Sequence, residues 1–206
     1  MKDINIQLFY NNALESIEIE YLKDFLVYTK ENIIKLKTQK DELKNNRLGQ
    51  NNIIDNFEEA TYETFIFLLY RFFESETHKY LKIFINTEFN DQELLKELKK
   101  RIDIEDKSLN WNFINNLKSL RNAITHNNSI YSNLSLKKKQ QIDNLIKSAG
   151  TDKIKINQKT KIVLTYNFCE FAMSLVENFF NVIYEQSFNK YPGDYKIMRL
   201  AELLTK

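Results

Sequence analysis

The stretch IDNFEEATYETFIFLLYRFF, residues 54 to 73, decides the fold class. Its apolar residues recur at the period of an α-helix. They cover more than one face, and a helix that is apolar on several faces must pack against several neighbours. We therefore expect this helix to lie at the centre of a helical bundle. The apolar pattern goes on through Ile85, and it fits either one long helix or two helices with a break near 75–77.

The composition indicates the same fold class. The chain has 206 residues and 43% hydrophobic content, which is enough for one domain with a real core. It has only 3 glycines and 1 proline, the residues that interrupt helices and build turns. We expect a single domain over 1–206, with an N-terminal helical extension at 1–50, a core bundle at 51–190 and a C-terminal helix at 191–206.

The same periodicity predicts further helices. They fall at about 12–46, 91–101, 108–127, 136–148, 166–187 and 194–204. One segment departs from the helical period, because Ile154 and Ile156, and then Ile162 and Leu164, recur at period two. That pattern predicts a small hairpin or two extended arms. The predicted fold class is all-α, a bundle of long antiparallel helices with a small β-hairpin near 153–165.

Charge and cysteine content exclude several classes of function. The formal net charge is only +2, so no global field draws the chain to nucleic acid, and any RNA affinity must come from local patches. Cys169 is the only cysteine, which excludes an intrachain disulfide and a cysteine-rich zinc site. Residues 1–12 lack the basic segment followed by an apolar segment that is typical of a signal peptide. No apolar run is long enough to span a bilayer. We expect a cytoplasmic protein that does not associate with membranes.

The candidate site is the stretch RNAITH, residues 121 to 126, which contains one of the 2 histidines in the chain. Histidine can move a proton near neutral pH, and the arginine fork suits phosphate. The pair therefore suggests phosphodiester chemistry without a metal. On a helical wheel, Phe113, Leu117, Leu120 and Ile124 form the core-facing stripe. The stripe opposite is polar and uncharged, and contains Asn115, Ser119, Asn122 and His126.

Arg121 and His126 do not face the same point on a straight helix. Successive residues are separated by about 100°, so these two lie about 140° apart. They can converge in two ways, either because the helix unwinds at 127–128 or because two copies of the helix meet across a symmetry axis.

The stretch LRNAITH, residues 120 to 126, closely resembles the signature of the HEPN superfamily. In that signature four to six residues separate an arginine from a histidine, and a polar residue, here Asn122, often follows the arginine. The resemblance implies a helical bundle that dimerises, so that both Arg/His motifs share one cleft. Many members are metal-independent endoribonucleases of toxin–antitoxin, abortive-infection or CRISPR-linked defence, whereas others have lost catalysis and serve as binding modules.

The chemistry of RNA cleavage suits these residues. RNA carries its own nucleophile in the 2′-OH. His126 would remove that proton or protonate the leaving 5′-oxygen, and Arg121 would stabilise the charge on the phosphorane. Asn122 would hold the phosphate or orient the imidazole. The products would be a 2′,3′-cyclic phosphate, or a 3′-phosphate, and a 5′-hydroxyl. No cofactor is expected, and the expected partners are RNA, a second copy of the chain and an antitoxin or defence-system protein.

Some charged residues near the motif have two interpretations. Lys137, Lys138 and Lys139, with the lysines at 153, 155, 159 and 161, form the most basic local region, which would contact RNA phosphates or be a solvated surface. The acids Glu58, Glu59 and Glu63 would place a carboxylate near the cleft or form a solvated helix face.

A second Arg/His pair, Arg71 and His78, is interpreted as structural. Arg71 is expected in the core, paired with Glu74 or Glu63. The rival function for the whole chain is a catalytically inactive, HEPN-like dimeric module that docks a partner protein or a nucleotide.

Overall fold

The computed structural model describes residues 17–42, 50–84, 94–101, 110–158 and 160–190. Six α-helices lie in this part of the chain: α1 Ile17–Glu42, α2 Gln50–Phe84, α3 Leu94–Arg101, α4 Trp111–Asn127, α5 Leu136–Ala149 and α6 Tyr166–Lys190. A two-stranded antiparallel sheet, β1 Ile154–Asn157 and β2 Lys161–Leu164, precedes α6. The structure is therefore mostly helical, as predicted. The helix predicted at 194–204 lies outside the described residues.

Helix α2 is continuous, so the alternative with a break near 75–77 is wrong. Thr77 is fully buried within the helix, and its hydroxyl donates to the carbonyl of Phe73 at 2.8 Å. That bond satisfies the buried hydroxyl inside the helix, so a β-branched polar residue does not interrupt it. The prediction that α2 is central is confirmed for the face that carries Phe65, Ile66 and Leu69, each 0% exposed.

One face of α2 remains open, contrary to the expectation that its neighbours cover it. The apolar side chains of Ile53, Phe57 and Phe67 are 68%, 47% and 37% exposed. They recur at helical spacing with the exposed residues Ala60 and Thr64. We call this set, Ile53, Phe57, Ala60, Thr64 and Phe67, the open face of α2.

The chain forms two compact units. Among the described residues, the first comprises 71–84, 94–101, 110 and 176–190. Its core includes Phe73, whose ring centroid lies 5.5 Å from that of Phe179 and 5.3 Å from that of Phe180. The second comprises the described residues of 15–70 and 111–175. It contains α1, α4, α5, the sheet, the part of α2 up to residue 70 and the part of α6 up to residue 175. Every residue of the candidate site lies in this second unit.

The segment 153–165 is a hairpin, so the alternative of two extended arms is wrong. Ile154 pairs with Leu164 and Ile156 with Ile162. Ile154, Ile162 and Leu164 are buried, whereas Lys155 between the isoleucines is exposed. The period-two pattern of the sequence therefore reflects one face of the sheet that packs on the core.

Candidate functional site

Helix α4 carries the candidate site on a rigid support. Phe113, Leu117 and Leu120 of the predicted core stripe are at most 2% exposed, and Ile124 is half-buried. The core stripe thus fixes the rotation of α4 about its axis. The helix is regular through Asn127, so Arg121, Asn122 and His126 all lie on helical backbone.

Arg121 is held at the seam between α4 and α2. Its Nη1 donates to Oδ1 of Asn122 at 2.9 Å, and its Cζ lies 5.0 Å from the centroid of the Tyr70 ring. Tyr70 is 1% exposed, so the ring presents a fixed, dry face to the half-buried guanidinium. A cation over an aromatic face is attracted by the ring quadrupole. Both contacts restrict the orientation of the arginine fork.

His126 is placed differently. Its side chain is exposed in the last turn of α4, where the helix dipole favours a cation. Within the described residues it has no hydrogen bond or ion pair, either with Arg121 or with any other side chain. The structure therefore brings Arg121 and Asn122 together but leaves His126 apart. The helix does end at Asn127, and Asn128 already has a φ of +49°, but this ending does not bring the imidazole into contact with Arg121 within one chain.

The chain reverses direction directly after His126. Asn128 and Ser129 have φ values of +49° and +61°, the left-handed region that side chains other than glycine rarely adopt. The amide of Ser129 donates back to the carbonyl of Ala123 at 3.1 Å, and the amide of Ile130 donates to the carbonyl of Asn127 at 2.8 Å. These bonds satisfy carbonyls that the end of α4 would otherwise leave without a partner.

Ser129 ties this turn to two other elements. It is 1% exposed, and its hydroxyl donates to the carboxylate of Glu63 on α2. Its carbonyl accepts from the amide of Ile162 on β2 at 2.9 Å. The end of α4, three residues beyond His126, is thus joined to α2 and to the sheet. The sequence signals only a turn at this position, and nothing in it pairs a serine with an acid 66 positions away.

Each of the three acids of α2 contacts a neighbouring element, and Glu63 reaches the turn that follows His126. Glu59 forms an ion pair with Lys161 of β2, and Glu58 forms one with Lys37 of α1. Neither these acids nor Glu63 bonds to Arg121 or His126. They are half-buried because they join α2 to its neighbours, which a pattern within one helix cannot predict.

Glu58 also changes the chemistry of a buried tyrosine. The hydroxyl of Tyr62 donates to its carboxylate at 3.2 Å. Burial, followed by the charge of Glu58 and this hydrogen bond, raises the pKa of Tyr62 well above its ordinary value. Tyr62 therefore stays neutral under all ordinary conditions and acts as a hydrogen-bond donor within the core.

In the predicted basic region some lysines contact aromatic rings and others have no partner among the described residues. Nζ of Lys139 lies 5.6 Å from the centroid of the Tyr131 ring, and Nζ of Lys153 lies 5.4 Å from that of Phe171. Lys137 is exposed and Lys138 is half-buried. Neither has a hydrogen bond or an ion pair within the described part of the chain. Several lysines of this region are therefore engaged within the chain, including Lys161 with Glu59, whereas Lys159 lies outside the described residues.

Two further predictions about side chains are wrong. Ser119, on the predicted polar stripe, is buried because its hydroxyl donates to Oε1 of Gln141 on α5 at 2.7 Å. Arg71, predicted in the core, is exposed, and it pairs with neither Glu63 nor Glu74. Both errors come from tertiary packing. Helix α5 covers the part of the polar stripe that carries Ser119, and Arg71 lies one turn after Phe67 on the exposed face of α2.

No family model, no curated protein and no solved structure matches this chain. The site must therefore be interpreted from its own residues. Among the described residues, no group of three histidine, cysteine or acidic side chains is arranged to hold a metal ion. None of the described helices combines the length and the apolar character needed to cross a membrane.

Proposed function

We propose that this protein is a metal-independent endoribonuclease of the HEPN type, active as a homodimer in toxin–antitoxin or antiphage defence. The observation that carries the proposal is the arrangement on α4, where Arg121 is oriented by Asn122 and Tyr70 while His126 faces solvent on the same rigid helix. A fixed guanidinium can stabilise the charged phosphorane and an accessible imidazole can transfer a proton, which are the two tasks of cleavage by the 2′-OH.

Each residue has a defined role in this mechanism. His126 removes the proton of the 2′-OH or protonates the leaving 5′-oxygen. Arg121 stabilises the charge that develops on the phosphorane oxygens, and it does so with little reorganisation because Asn122 and Tyr70 already hold it. The 2′-oxygen loses its proton and forms a bond to phosphorus, while the bond from phosphorus to the 5′-oxygen breaks and that oxygen gains a proton. The products are a 2′,3′-cyclic phosphate and a 5′-hydroxyl.

A second copy completes the site in this proposal. Within one chain Arg121 and His126 are about 140° apart around α4 and about 7.5 Å apart along its axis. The arginine of one protomer would therefore act with the histidine of its partner. The open face of α2 supports this arrangement, since Phe67 lies within one turn of Tyr70 and so beside the seam that holds Arg121. Exposed apolar residues grouped on one face are typical of protein interfaces.

The test is the replacement of His126 with alanine. We expect the variant to lose cleavage of single-stranded RNA by two to four orders of magnitude, the range that general acid–base catalysis contributes. Circular dichroism and light scattering should show an unchanged fold and assembly, because the side chain is exposed. Asn115→Ala is the matched control, since it lies on the same stripe of α4 and is also exposed. Cleavage retained by His126→Ala would contradict the proposal.

The rival function is a binding module without catalysis. It is favoured by the divergence of Arg121 and His126 within one chain and by the open face of α2. It predicts that the wild type does not cleave RNA even at high concentration and that His126→Ala changes nothing. If a nucleotide is the ligand, it would raise the thermal stability of the wild type, because it binds only the folded state.

A further inference from the structure

Positive charge is concentrated on the two helices next to the candidate site. Together α4 and α5 carry six lysines and arginines and only one acid, Asp143, although the net charge of the whole chain is +2. Asp143 accepts from the hydroxyl of Tyr131 at 2.9 and 3.0 Å, so it faces the turn and not α4. The pair of helices is therefore a local cationic surface in a chain that is nearly neutral.

The packing of α5 on α4 places Lys137 beside the site. The two helices are in contact and are joined by the short connection at 128–135, so they run antiparallel. The bond from Ser119 to Gln141 fixes their register. Lys137 lies four residues before Gln141 on α5, and residue 123 lies four residues after Ser119 on α4. Because the helices are antiparallel, Lys137 is therefore level with residue 123. Lys137 is only about 40° from Gln141 around α5, so it projects along the same side of the helix.

Lys118 stands on the other side of the site. It lies one turn before Asn122 and two turns before Thr125, both on the accessible part of α4. It is about 12 Å from His126 along the helix axis. Among the described residues, neither Lys118 nor Lys137 has an ion pair or a hydrogen bond, whereas Lys139 contacts the Tyr131 ring.

We infer that Lys118 and Lys137 bind the RNA phosphates on the two sides of the one held by Arg121. This inference rests on the proposed function and assigns a substrate-binding role to Lys118, which the sequence pattern does not single out. It also selects Lys137 from the block 137–139 and excludes Lys139. The phosphate chain would run along α4 from Lys118 past Asn122 to His126, with Lys137 above it from α5.

The test measures binding apart from cleavage. A short, fluorescent 2′-O-methyl oligouridylate lacks the nucleophile, so it reports affinity by anisotropy across a salt series. Each lysine that neutralises a phosphate contributes about 0.7 to the slope of log affinity against log salt for a single strand. We expect Lys118→Gln and Lys137→Gln each to lower that slope by about 0.7. Lys139→Gln removes the same charge from the same helix and should leave the slope unchanged.

Three results would overturn the inference: no binding by the wild type at low salt, equal effects of all three variants, or no effect of Lys118→Gln and Lys137→Gln. Lys118→Arg keeps the positive charge and should keep the wild-type slope. A lower slope in Lys118→Gln alone is then due to the lost charge and not to a disturbed fold. The outcome is independent of catalysis. If His126→Ala cleaves RNA normally but the two slopes fall, the proposed nuclease fails and the phosphate contacts stand. If His126→Ala is inactive but the slopes do not change, the phosphate contacts fail alone.

Discussion

Replacing Ser129 with alanine should destabilise the protein more than its position in a turn suggests. The hydroxyl is buried and donates to the carboxylate of Glu63, which joins the end of α4 to α2. A hydrogen bond to a charged group is worth about 1.5–3 kcal/mol. Glu63 is half-buried, so water replaces part of the lost bond. We expect Ser129→Ala to lower the free energy of unfolding by about 1–2 kcal/mol.

A glycine at the same position separates the hydroxyl from the backbone. Ser129 has a φ of +61°, which costs a residue with a side chain about 1–2 kcal/mol. Ser129→Ala keeps that cost and loses the hydroxyl, whereas Ser129→Gly loses the hydroxyl but relieves the backbone. Because the two effects are of similar size, Ser129→Gly should be close to the wild type in stability, and Ser129→Ala should be the less stable of the two variants.

Urea unfolding followed by circular dichroism measures these differences. Ser132→Ala is the matched control, because Ser132 is exposed and its hydroxyl reaches only Oδ1 of Asn133 at 3.5 Å. It should change the free energy of unfolding by less than about 0.5 kcal/mol. If Ser129→Ala is as stable as this control, or if Ser129→Gly is less stable than Ser129→Ala, the account of the turn is wrong.

Two further predictions concern the turn and the open face of α2. Burial, followed by the hydrogen bond to Asp143, raises the pKa of Tyr131 above its ordinary value of 10.0, so the folded state keeps a proton that the unfolded state loses as the pH rises. Stability should therefore fall above about pH 10, and Tyr131→Phe should reduce that fall in urea titrations; an unchanged pH profile would contradict it. Phe57→Lys, on the open face, should give monomers in light scattering and abolish cleavage. Leu136→Lys, at a site 75% exposed on α5, should remain dimeric, and a dimeric Phe57→Lys would exclude this face as the interface.

Local sequence patterns predicted the helices and the hairpin because both depend on short-range periodicity. The core stripe of α4 and the period-two segment at 154–164 bury most of the side chains that their spacing indicates, whereas Ile124 and Ile156 are half-buried. The position of Arg121 and His126 on one regular helix also followed from the sequence, and with it their divergence of about 140°.

Tertiary structure alone decided which partners the polar residues found. The pairing of Glu63 with Ser129, of Glu59 with Lys161 and of Ser119 with Gln141 joins residues far apart in the chain. Such pairs depend on how helices pack, and the period of one helix carries no information about its neighbour. For the same reason the sequence could not predict that Arg121 contacts the Tyr70 ring. Nor could it predict that Lys139 contacts the Tyr131 ring while Lys137 does not.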